Sequence, residues 1–171
     1  MAEELQPEVV KFLVTNRGLE PVRYLRSAIH GARIRGTGFR GVLTLEARGE
    51  IDERAKLIWR DCSESIGHMT AVLATVESKE EPIKDAAARI GAEQIGSEES
   101  FCFRLHKRGA HGLERDTSTL EQEIGGEIWT ALEGKYHKKP KVGLKKPDIT
   151  VIAEILGPTA AVGISRKDWR D

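Results

Sequence analysis

Hydrophobic residues along this chain switch repeatedly between the two-residue repeat of a half-buried strand and the 3.6-residue repeat of a helix. The order is strand, helix, strand, strand, helix, strand up to Val76, then helix, strand, helix, strand, strand. Neither an all-helical bundle nor an all-strand barrel carries such a pattern, so a mixed α/β (α+β) fold is expected. In the first half the strands are residues 9–15 (VVKFLVT), 33–35, 42–48 and 69–76. The helices run from Glu20-Pro21 to Gly31, where proline suits the first turn, and from Ile51 to about Ser65.

In the second half, Ile83, Ala86, Ala87, Ile90 and Ile95 give a helix over 82–95. Residues 101–107 alternate, with Phe101, Phe103 and Leu105 on one side. Ser118 and Glu121 have the spacing of a capping box. The helix they open carries Leu120, Ile124, Ile128 and Leu132 and is expected to end near Gly134. A basic, irregular stretch follows over 136–146, and two strands, 149–156 and 160–165, flank a Gly157-Pro158 turn.

The first set of elements has the β-α-β-β-α-β order of a ferredoxin-like unit. The acidic stretch from Ser78 to Glu81 separates it from the rest. A chain of 171 residues has room for two small domains. The expected division is 1–78 and 79–171.

Charge narrows the function classes. There are 27 basic and 27 acidic residues, so indiscriminate polyanion binding is not expected and any basic surface must be local. No apolar run approaches the ~18–20 residues of a membrane span, and the acidic start does not resemble a signal peptide, so the chain is expected to be cytoplasmic with no membrane partner. Cys62 and Cys102 are too few for a zinc site, even with His106 four residues from Cys102, and are expected to be reduced structural thiols. One Asn and three Gln beside abundant Glu, Arg and Lys suggest a thermophile's protein.

Gly36, Gly38 and Gly41 spell the dinucleotide fingerprint G-x-G-x-x-G. That fingerprint requires a helix at its third glycine, and here VLTLEA reads as a strand, so the three glycines form a hairpin loop. Gly125-Gly126 is less easily dismissed. Each glycine costs roughly 1 kcal/mol relative to alanine inside a helix. Either another backbone packs there, or a ligand does. Six lysines and no acid lie between Lys135 and Lys146: Lys135, Lys138, Lys139, Lys141, Lys145 and Lys146. Lys107, Arg108 and Arg115 form a second basic loop, with Arg104 on the strand before it. If the strands at Phe101 and Ile149 share a sheet, the two loops are expected to form one continuous positive surface for phosphates, with Tyr136 and His137 available to stack on bases.

These residues carry a resemblance. FRLHKRG at 103–109, EQEIGGEI at 121–128 and KVGLKKPDITVIAEI at 141–155 resemble the THUMP domain, with Val142, Leu144, Pro147 and Asp148 matching its pattern. Gly143 departs from it, since the family usually has Asp there. The resemblance implies binding of the 3′ acceptor end of tRNA. It also implies that catalysis is supplied elsewhere, because neither an SGGxDS-like loop nor a DPPY-like or NPPY-like motif is present before Asp171. The layout is similar to the stand-alone adaptors of tRNA cytidine acetylation, which implies a separate tRNA acetyltransferase as partner and no cofactor, metal or catalytic residue in this chain. The expected RNA contacts are Arg104, Lys107, Arg108, Arg115, Gly125, Gly126 and the six lysines. Two rivals stand beside this reading: a small tRNA-modifying enzyme using His106, His111, His137, Glu114 or Asp116, and a protein-binding scaffold without RNA affinity.

Overall fold

A computed structural model of the chain describes residues 9–16 and 32–170. It divides into two compact units, Met1–Ala71 with Trp169–Asp171, and Val72–Asp168. The division falls inside one strand, seven residues ahead of the boundary expected at 78/79. An uninterrupted strand carries no turn residue to mark such a place.

The first unit contains β1 (Val9–Asn16), β2 (Arg33–Gly36), β3 (Val42–Arg48), α1 (Ile51–Cys62) and the beginning of β4 (Ile66–Glu77). The strand order is β2-β3-β1-β4, with every neighbouring pair in this unit antiparallel. The helix expected over 21–31 lies outside the described residues. Gly41 leads into β3, and Gly38 and Gly41 take positive φ (85° and 74°) in the β2–β3 loop. Thr37 Oγ1 closes that loop by donating to the Val42 carbonyl at 2.8 Å. Phe12, Leu45, Ala55, Ile66, Met69 and Trp169 are buried. The Trp169 ring meets Phe12 edge-on at 6.3 Å, and its Nε1 donates to Asp52 at 2.8 Å.

The second unit contains the rest of β4, α2 (Glu80–Gln94), β5 (Ser100–His106), α3 (Thr117–Tyr136), β6 (Lys141–Val142), β7 (Ile149–Leu156) and β8 (Thr159–Arg166). The strand order is β4-β8-β7-β5-β6. β7 and β8 form an antiparallel hairpin, whereas β5 runs parallel to both β7 and β6. Parallel neighbours need a long crossover, and α3 supplies it. Its stripe of Leu120, Ile124, Ile128 and Leu132 is buried, as its fourfold spacing requires. Gly91 of α2 lets Ile128 come close: a Cβ at Gly91 would lie 2.7 Å from Ile128 Cγ2.

Three expectations are corrected here. The cap of α3 is Asp116, whose side chain accepts from the Thr119 amide at 2.7 Å, not a Ser118–Glu121 box. An ionised carboxylate is the stronger acceptor of the two candidates. Glu121 instead accepts from the Leu105 amide at 3.0 Å. The helix passes Gly134 and ends at Tyr136, where the Tyr136 hydroxyl donates to the Ile95 carbonyl at 2.7 Å and His137 takes the left-handed conformation (φ 55°). Finally, the basic stretch is not wholly irregular. Lys141 and Val142 pair with Ser100 and Phe101 as β6.

Candidate functional site

Strand β5 decides where the basic residues go. Lys107 and Arg108 follow its last residue, whereas β6 and the start of β7 align with Ser100 and Phe101 at its first. Six residues of strand at about 3.3 Å each separate the two groups by about 20 Å. The single continuous surface expected from both loops is therefore not formed.

The two ends also differ in charge. Glu154, 1% exposed, accepts from Arg108 Nη1 at 2.5 Å and lies 2.9 Å from His106 Nδ1. Arg115 pairs with Glu80 at 2.7 Å and with Glu123, and Lys107 Nζ donates to the Arg115 carbonyl at 2.7 Å. This end is neutralised by its own carboxylates. At the other end, Lys138 and Lys141 share the one carboxylate of Glu98. Lys139, Lys145 and Lys146 are exposed and have no ion pair among the described residues. Lys135 donates to the Ala92 carbonyl at 2.5 Å and lies 5.0 Å from the Tyr136 ring centre.

The segment that carries these lysines also borders a groove of about 370 Å³. Strand β5 gives it Phe101, Cys102, Phe103 and Arg104. Strand β6 gives Val142 and the segment after it Leu144, 56% and 67% exposed. Helix α3 gives Ser118, Glu121, Gln122, Gly125, Gly126 and Trp129, which recur at helical spacing beside the buried stripe. The wall is fixed by two hooks. Arg104 Nη2 donates to the Leu144 carbonyl at 2.8 Å. Asp148 Oδ2 accepts from the Ser100 amide (2.9 Å) and hydroxyl (3.1 Å), and the backbone bond holds the Asp148 carboxyl below the usual carboxylate range. The Pro-Asp pair thus staples the entry of β7 to that of β5. Gly143 donates its amide to the Phe101 carbonyl at 2.9 Å, and a Cβ there would lie 3.3 Å from Pro147 Cα.

A Cβ on Gly126 would meet nothing within 4 Å, and one on Gly125 would touch Phe103 Cβ at an ordinary 3.9 Å. No backbone packs on them, so close packing does not account for them. Gly126→Ala and Gly125→Ala should each raise stability by roughly 1 kcal/mol, read as a higher melting temperature. An unchanged or lower melting temperature would mean that the glycines serve the fold. Trp129, Gln122, Val142 and Leu144 were missed as site residues. The available signal was a tryptophan on α3 outside the Leu120–Leu132 stripe.

Of the residues of the enzyme rival, His137 stands apart from Asp116. Asp116 and His137 cap opposite ends of the 20-residue helix α3. His111 Nδ1 accepts from the Leu113 amide at 3.1 Å. His106 is held by Glu154, whose hydrogen bond raises the imidazole above its ordinary 6.5. Burial pushes the Glu154 carboxyl up, but the bonds and charges of His106 and Arg108 outweigh it and leave it below 4.5. A raised histidine stabilises the fold below its unfolded value and loses that contribution as pH climbs through its folded one. A lowered carboxyl stabilises above its unfolded value and loses that contribution as pH falls through its folded one. Stability should therefore peak between about pH 4.5 and 6.5, and His106→Asn should flatten the decline on the alkaline side, as read from urea midpoints across pH. No helix among the described residues is long and apolar enough to cross a membrane, and no cluster of metal-ligating side chains occurs among them.

Comparison with known proteins places these observations. A family model described as the THUMP domain matches residues 77–165. No curated protein sequence matches the chain. Among solved structures, PH1313 from Pyrococcus horikoshii is similar over 92% of this chain and 54% of its own, at 13% identity and a TM-score of 0.58. TrmN from Thermus thermophilus is similar over 93% and 46%, at 20% identity and a TM-score of 0.59. A 4-thiouridine synthetase in complex with RNA and ATP is similar over 93% and 42%, at 14% identity and a TM-score of 0.60. At such identities the likeness shows a shared fold, and the chain spans about half or less of the length of each of these three proteins.

Proposed function

The chain belongs to the THUMP domain family, and on that premise we propose that it binds tRNA at the 3′ acceptor end while a separate enzyme performs the chemistry. The observation that carries this reading is the coincidence of Lys139, Lys145 and Lys146, exposed and without ion pairs among the described residues, with a groove walled by Trp129, Val142 and Leu144. Lysines gain from releasing the counterions of a phosphate chain, and exposed aromatic and apolar side chains suit unpaired bases. The similar 4-thiouridine synthetase was solved with RNA bound, which supports the ligand class. Of the expected contacts, Arg108 and Arg115 are better read as internal counter-charges of Glu154, Glu80 and Glu123. The first unit we read as ferredoxin-like, because β3 lies between β1 and β2 as in a split β-α-β arrangement.

The test is a mobility shift with purified chain and intact tRNA at low salt. A shift that weakens steeply with salt is expected. A protein-binding scaffold would leave the tRNA unshifted, and turnover of tRNA by the chain alone would instead favour an enzyme. The partner we propose is a tRNA cytidine acetyltransferase, and adding the chain should then lower that enzyme's KM for tRNA.

A further inference from the structure

The basic face at the entry of β5 is only partly free. Lys138, just past α3, and Lys141, on β6, both pair with Glu98, the second of them at 3.0 Å. Glu98 stands in the short turn between α2 and β5. Other acids nearby are engaged by the fold: Glu99 accepts from Arg166 at 2.9 Å and from the Gly96 amide at 2.8 Å, and Asp148 accepts from Ser100. The Glu98 carboxylate is held by the two lysines alone among the described residues. Its side chain is 68% exposed, and pairs so exposed contribute little to folding. Stability therefore does not account for a carboxylate set among lysines. Loose binding of a polyanion follows the number of free cations, so a carboxylate shared by two lysines weakens it. A ligand whose phosphates are already fixed on Lys139, Lys145 and Lys146 can instead displace Glu98 and take up Lys138 and Lys141, since an exposed pair breaks at little cost. Discrimination is a difference of affinities, and weakening the wrong complex raises it as surely as strengthening the right one.

We propose that Glu98 is a selectivity residue: its carboxylate withholds Lys138 and Lys141 from RNA that does not fit the site and yields them to RNA that does. The inference rests on the RNA-binding reading and adds to it a residue that acts by repulsion. Lys139, Lys145 and Lys146 supply the first grip on any phosphate chain, and Lys138 and Lys141 reward only the ligand that reaches Glu98 with a phosphate in place.

Glu98→Gln keeps the size of the side chain and removes its charge. Mobility shifts with the whole chain, on intact tRNA and on a blunt RNA duplex of similar length, test the proposal. One phosphate contact changes affinity about threefold over a roughly fourfold change in salt. Freeing two lysines should therefore tighten duplex binding by about 3- to 10-fold at low salt and steepen its salt slope by about one to two units. Intact tRNA should gain no more than about twofold, so the ratio of the two affinities falls. Glu81→Gln removes one charge from α2, where Glu81 pairs with Lys84 at 3.0 Å, and should change neither affinity. In a chain that also carries Lys138→Ala and Lys141→Ala, Glu98→Gln should have no effect. Equal gains for both RNAs, no gain for either, or the same gain from Glu81→Gln would overturn the selectivity role while leaving RNA binding intact. No binding of either RNA by the wild-type chain would overturn the RNA reading itself, and the role of Glu98 with it.

Discussion

Replacing Lys139, Lys145 and Lys146 together by alanine should lower affinity for tRNA and flatten its dependence on salt by about two to three units of log–log slope, one lost phosphate contact per lysine. These lysines are the part of the basic face with neither an ion pair nor a hydrogen bond among the described residues. Removing them therefore costs no internal pairing, and the melting temperature should barely move. The same replacement at Arg115 should behave in the opposite way. Its guanidinium is engaged by Glu80 and Glu123, so its loss should leave the salt slope largely unchanged. A triple variant with wild-type affinity and slope would reduce the lysine run to a solvated face.

Trp169→Ala should destabilise the first unit by about 3–5 kcal/mol, the usual result of truncating a buried aromatic side chain. Trp169 is 1% exposed, stands edge-on to Phe12 and donates to Asp52. Truncation removes the packing, the aromatic pair and the hydrogen bond together. Trp169→Phe keeps most of the ring and should cost clearly less. Denaturation followed by circular dichroism checks both. A shift below about 1 kcal/mol for the alanine variant would show that the chain's last residues are not part of that unit's core.

Much of the second unit was legible in the sequence. Leu120, Ile124, Ile128 and Leu132 define the buried face of α3, and the alternation at Phe101 and the run at Ile149 define β5 and β7, because burial imposes those periods directly. The placement of the basic residues was misjudged, although the pieces were present. A strand, a 20-residue helix and a second strand form a parallel crossover. In a crossover the approach to the second strand lies beside the entry of the first. Lysines ahead of Ile149 therefore belong near Ser100, not near Lys107. Recognising a shared sheet was not enough without its direction. β6 was hidden because two residues carry no period. The groove was hidden because its walls come from three separate segments, each unremarkable alone, and only Gly125-Gly126 and Trp129 advertised it.

Affinity for intact tRNA, measured beside the same tRNA trimmed of its unpaired 3′ CCA, tests the account most directly. Binding of the intact molecule, weakened at least severalfold by trimming, is the expected result. Equal affinity for intact and trimmed tRNA would contradict recognition of the acceptor end.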